Sequence, residues 1–176
     1  DMFGYDFCVK NYVSSKNQRD MLIRRTLFKY GSDFMIALAN ISYLIIKVRN
    51  ILVTHAGFSN EFITKFTSRR GDELINYINS LMNTILTTPY NDLVHHRNLE
   101  DYIDNSLFGM DAQRKIDLKW IMVSSNYFMA NRTFGSDETS YVCQLLDSTF
   151  TLFDIVPNNG RLVIGHSPQF FLTVPI

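Results

Sequence analysis

Ile51-Leu52-Val53-Thr54-His55-Ala56-Gly57 is the stretch on which the fold turns. Its branched residues read as a buried strand, which delivers a histidine into a loop whose next residues are small enough for close backbone approach. The same arrangement recurs near the end of the chain, in Leu162-Val163-Ile164-Gly165-His166-Ser167-Pro168-Gln169. In α/β proteins ligands gather at the carboxyl ends of strands, so two histidines delivered in this way can converge on one site. Imidazole is also the commonest side-chain ligand for zinc-, iron- and manganese-class ions. Each histidine alone has a plainer reading, that of a hydrogen-bonded structural residue following a strand.

Outward from His55, the composition of Tyr43 to Lys47 and of Asn50 to Thr54 predicts two adjacent strands joined by a Val48-Arg49-Asn50 turn. Upstream, Met21, Leu22, Leu27 and Phe28 sit at helical spacing between Lys16 and Phe28, and Gly31 interrupts before Ser32 caps a short helix running to Asn40. Downstream, Ser59 or Asn60 caps a helix towards Ser68. Asp72 begins another that carries Leu74, Ile75, Ile78, Leu81, Met82 and Ile85 on one face. Asp137 to Phe150 is again helical in spacing, and Pro157-Asn158-Asn159-Gly160 signals a turn before a strand from Arg161 to Ile164. Between Thr87 and Asp117 the pattern weakens, apart from an amphipathic stretch from Leu99 to Leu107. Residues 1–176 are therefore read as part of a single α/β domain with an insertion or variable region at about 87–118.

The composition excludes several classes. Seventeen basic residues balance seventeen acidic ones, so no long-range field steers the chain onto nucleic acid or an anionic membrane. No apolar run approaches the roughly 18 residues of a membrane span. Cys8 and Cys143 are too few for a disulfide framework and do not form a Cys-x-x-Cys knuckle. They read as buried small hydrophobes in a reducing, cytoplasmic setting. The triplets Asn40-Ile41-Ser42 and Asn131-Arg132-Thr133 match a glycosylation sequon but are common by chance. His95 and His96 are adjacent, so their side chains diverge in any regular element, and they read as surface residues. Asp1-Met2-Phe3-Gly4-Tyr5 does not look like a natural start, which suggests that the chain begins inside a longer protein.

Taken together, His55-Ala56-Gly57 and Gly165-His166-Ser167-Pro168-Gln169 resemble the His-Gly-Gly and Gly-His-Thr-Pro motifs in the later half of calcineurin-like metallophosphoesterases of the phosphoprotein-phosphatase type. Each differs from its motif by one residue. The segment Arg25-Thr26-Leu27-Phe28-Lys29-Tyr30-Gly31-Ser32 is similar to the one before His-Gly-Gly in the Shewanella-like branch, with Tyr30 in place of a proline. The resemblance implies an αββα sandwich of two mixed sheets flanked by helices, here only partly present because the N-terminal portion is missing. Such a part is expected to expose sheet edges and apolar surface. The implied activity of the intact protein is metal-dependent hydrolysis of phosphate monoesters, including phosphoprotein substrates, with two ions of the manganese, iron or zinc class.

The resemblance assigns His55 and His166 to the second metal. It makes Asp1 the final acid of a Gly-Asn-His-Asp motif. The family's other ligand motifs do not occur in the chain, and Gly71-Asp72 reads as a helix start. Where the family has a Trp-x-Arg element that grips the substrate phosphate, this chain has Trp120-Ile121-Met122, so either that element lies elsewhere or the grip is weaker. Arg132 and Arg161 are the substitutes available for phosphate binding, and the plainer reading of each is a solvated surface arginine. Two histidines cannot complete a dinuclear site, so this chain alone is expected to be inactive and to depend on the missing N-terminal half or other subunits. The competing reading is a phosphoesterase-like module without chemistry, serving a larger assembly.

Overall fold

In the computed structural model, residues 18–89, 99–123, 134 and 139–165 are described. Among them the chain is a mixed α/β protein with seven α-helices and a small three-stranded sheet. The elements are α1 (Gln18–Leu27), α2 (Asp33–Ala39), β1 (Ile45–Val48), β2 (Ile51–Thr54), α3 (Asn60–Lys65), α4 (Gly71–Thr87), α5 (Leu99–Ser106), α6 (Ala112–Val123), α7 (Thr139–Leu152) and β3 (Arg161–Ile164), with a 3-10 turn over Pro157–Asn159 before β3.

The helix starts follow the capping residues. Ser32 accepts from the Met35 N–H at 3.2 Å and opens α2. Ser59 does the same for Phe62 and opens α3. Glu61 in that first turn lies below the usual carboxylate range because its own backbone N–H and then the Ser59 hydroxyl bond to it. In α4 the residues Leu74, Ile75, Ile78, Leu81 and Ile85 are buried, the face expected from their spacing, while Met82 is half-buried against the core.

The sheet order is β1-β2-β3. β1 pairs antiparallel with β2 (Ile45↔Thr54, Val48↔Ile51), and β2 pairs parallel with β3 (Ile51↔Arg161, Thr54↔Ile164). The hairpin turn is tighter than expected. Val48 belongs to the strand, and the two residues Arg49 and Asn50 suffice because Arg49 takes φ 57°. One face of the sheet is packed, with Ile45 and Leu52 at 0% exposure. The other carries Ile46, Val53 and Val163 in one cross-strand row, with Ile46 41% and Val163 51% exposed. Along β1 runs α4, whose Asn79 amide donates to the Ile45 carbonyl at 2.8 Å and accepts from the Leu44 and Ile45 N–H groups. That side chain satisfies the edge backbone that a further strand would otherwise occupy.

The weakly patterned stretch contributes to the same core. Tyr102, Ile103, Leu107 and Leu118 are buried with the α4 face. Tyr102 stacks on Tyr30 with ring centroids 4.8 Å apart and donates to the Thr88 carbonyl. Cys143 is not buried as expected but exposed, because α7 turns Leu145, Thr149 and Phe150 inward and leaves Cys143 on the side of Gln144 and Asp147. Cys8 lies outside the described residues. So do His95, His96 and the Asn131 sequon. No helix among the described residues is long and apolar enough to cross a membrane.

Candidate functional site

The end of β2 alternates buried and exposed side chains. Thr54 and Ala56 are buried on either side of an exposed His55. Beyond it Phe58 is fully buried, its ring 5.0 Å from both Phe62 and Phe153. Ser59 then begins α3. An aromatic anchor and a helix cap thus hold the His55 loop within four residues of the strand.

β3 leaves the sheet in the same direction as β2 and directly beside it. The Gly165 N–H donates to the His55 carbonyl at 3.0 Å, which carries the parallel pairing one residue past Thr54↔Ile164. His166, the next residue in sequence, lies outside the described residues, as do Asp1 and Arg132.

The remaining candidates are dispersed. Arg161 stands exposed at the opposite end of β3, paired with Ile51, four residues and about 13 Å of strand before Gly165. Trp120 is half-buried on α6 against Phe62 and Phe66, and Met122 is 3% exposed in the core. Gly71-Asp72 opens α4, as the helix reading required, and Asp72 pairs with Lys47 at 3.1 Å.

By residue type, imidazole suits a borderline divalent ion, and His55 is exposed. Among the described residues no three His, Cys, Asp or Glu side chains gather closely enough to hold a metal.

Three polar features were not legible in the sequence. The Thr54 hydroxyl is buried without a hydrogen-bond partner. Asn60, just after the His55 loop, donates to the Tyr141 hydroxyl at 3.2 Å and ties that loop to the start of α7. Away from the sheet edge, buried Asp117 accepts from the Tyr77 hydroxyl at 2.6 Å and from Gln113 at 2.8 Å, and pairs with Lys65 at 3.0 Å. Arg69 lies 4.0 Å over the Tyr77 ring. Burial, then the bond and charge of Asp117, push Tyr77 up to about 12. Such contacts depend on which helices meet, and no local sequence signal encodes that.

No family model, curated protein or solved structure matches the chain.

Proposed function

We propose that the chain forms part of a calcineurin-like metallophosphoesterase of the phosphoprotein-phosphatase type, and that the intact protein hydrolyses phosphate monoesters with the help of metal ions. The observation that carries this reading is the hydrogen bond from Gly165 to His55 across a parallel strand pair, which sets the ends of β2 and β3 side by side. The apolar outer face of the sheet also suits an αββα sandwich, since parallel strands are normally covered on both faces. His55 and His166 would hold one ion. When bound, the metal pair supplies a clamp on the phosphate and a more acidic water. The chain's own part would be to supply the two imidazoles, with the His55 loop anchored through Phe58 and Ser59.

In the intact protein supplied with manganese, His55→Ala and His166→Ala are each expected to lower hydrolysis of p-nitrophenyl phosphate by at least about 10-fold. Rates equal to the unsubstituted protein would remove both residues from the mechanism. The 176-residue chain alone is expected to show no metal-dependent turnover, and measurable turnover would contradict the ligand assignment.

A second reading is a phosphoesterase-like module without chemistry, acting within a larger assembly. It is favoured by one observation: Met122, where the family carries a phosphate-gripping arginine, is packed into the core. Metal analysis of the intact protein separates the two, because the module reading requires no bound transition metal.

A further inference from the structure

We propose that the chain forms a two-fold dimer in solution by pairing β3 antiparallel with β3 of a second copy, which joins two three-stranded sheets into one. The inference is independent of the phosphatase reading. The Arg161 N–H donates to the Asn50 carbonyl at 2.9 Å, and β3 pairs with β2 in parallel from there. Backbone groups alternate in direction along a strand, so Arg161 and Val163 turn theirs to β2 while Leu162 and Ile164 turn theirs the other way. Among the described residues nothing pairs with that side of β3. The opposite edge of the sheet is already closed by Asn79 and α4, so one edge remains open.

That open edge fits a copy of itself. A two-fold axis between Val163 and its counterpart sets Leu162 opposite Ile164 of the second copy, and Ile164 opposite Leu162. The outward N–H and C=O groups of both residues are then bonded in both copies, whereas a register shifted by two residues bonds only half of them. The side chains agree with this register on both faces. Val163, 51% exposed, meets its counterpart in the outer-face row that Ile46 and Val53 begin, and half-buried Leu162 meets half-buried Ile164 on the inner face. Arg161 is the only charge in the strand, and it falls opposite Gly165 of the second copy. The two arginines lie about 13 Å apart along the strands, where ordinary salt screens their repulsion. The formal charges of the chain cancel, so whole copies do not repel one another either. The assembly also closes, because both edges of the joined sheet are then β1 edges blocked by Asn79.

The test is the mass of the full chain by sedimentation equilibrium at about 100 µM, where it should be twice 20.5 kDa. Val163→Lys opposes two ammonium groups at the axis and should raise the dissociation constant about 10-fold or more. Ile46→Lys lies on the same face but two strands from the edge, and should stay within about 2-fold of the parent. Should Val163→Lys fail to fold, cross-linking in a Cys8→Ser, Cys143→Ser background decides. Val163→Cys places two thiols in a directly opposed pair, about 4.5 Å between Cα atoms and within disulfide reach, and should cross-link on mild oxidation. Arg161→Cys is as exposed but faces Gly165, and should not. A monomer at this concentration overturns the proposal and leaves the edge to a strand from elsewhere in the same or another polypeptide. Equal loss of dimer in Ile46→Lys and Val163→Lys, or equal cross-linking by the two cysteine variants, overturns it as well.

Discussion

Replacing Gly31 with alanine tests the packing of this fold most directly, because three penalties coincide there and two of them can be isolated elsewhere in the chain. Gly31 has φ 72° and donates to the Leu86 carbonyl at 2.9 Å, which seats the α1–α2 turn on the last turn of α4. An alanine Cβ would collide with the Pro89 backbone, lying 2.6 Å from its nitrogen and closer still to its Cα, and 2.9 Å from the Thr88 carbonyl carbon. The left-handed conformation costs about 1–2 kcal/mol. Moving backbone aside costs about 1–3 kcal/mol, and the bond to Leu86 is worth about 1 kcal/mol. Together these make Gly31→Ala about 4 kcal/mol less stable, or about 8–16 °C in midpoint for a chain of this size. Three controls separate the contributions. Gly109→Ala has the unfavourable backbone (φ 85°) but open space within 4 Å, and should cost only about 1–2 kcal/mol. Gly160→Ala has no left-handed penalty but meets the Phe150 ring at 2.6 Å, and should cost about 1–3 kcal/mol. Gly165→Ala has neither and should fall within about 0.5 kcal/mol of the parent. Urea unfolding followed by fluorescence of Trp120, the chain's single tryptophan, reads all four. If Gly31→Ala is no more destabilised than Gly109→Ala, the contact between that turn and α4 is not tight, and the argument fails.

Asp117→Ala should destabilise by about 2–3 kcal/mol in the same assay. Asp117 is 4% exposed and joins α3, α4 and α6, while the 22% exposure of Lys65 keeps the cost below that of a fully buried pair. Lys65→Met should cost less, because Tyr77 and Gln113 still satisfy the carboxylate; a neutral Asp117→Ala would show the network to be idle. At alkaline pH, Tyr30 is the group to follow, since burial pushes its phenol from 10.0 up to about 12. The folded state favours the protonated phenol, so this contribution is complete below about pH 10 and is lost as pH rises towards 12. Tyr30→Phe should therefore lose about 1 kcal/mol less stability than the parent between about pH 9 and pH 11, and equal losses would refute the assignment.

Much of the local structure was legible before the coordinates. Ser32 caps the helix expected of it, Ser59 rather than Asn60 caps the next, β3 runs from Arg161 to Ile164 as its flanking turn indicates, and the apolar face of α4 is the buried one. These features depend on interactions within a few residues, where a side-chain oxygen meets a backbone N–H or one face repeats every turn. Cys143 shows where such reasoning stops. Its residue type favours burial, but the side of α7 it occupies is set by the inward packing of Leu145 and Phe150. The stretch from Leu99 to Leu118 shows the same limit in reverse: its amphipathic part could be read from spacing, but not that Tyr102, Ile103 and Leu118 join the core built on α4, with Tyr102 stacked on Tyr30.

The sequence by itself determined the strands from Ile51 to Thr54 and from Arg161 to Ile164, because strand propensity and turn chemistry are written locally. Only the tertiary structure decided that those strands are parallel neighbours in register, with Gly165 bonded to His55, that Met122 is buried in the core, and that Arg161 stands at the opposite end of β3. Pairing between residues more than a hundred positions apart is selected by the shared core and not by either segment, so it becomes visible only when the whole chain has packed.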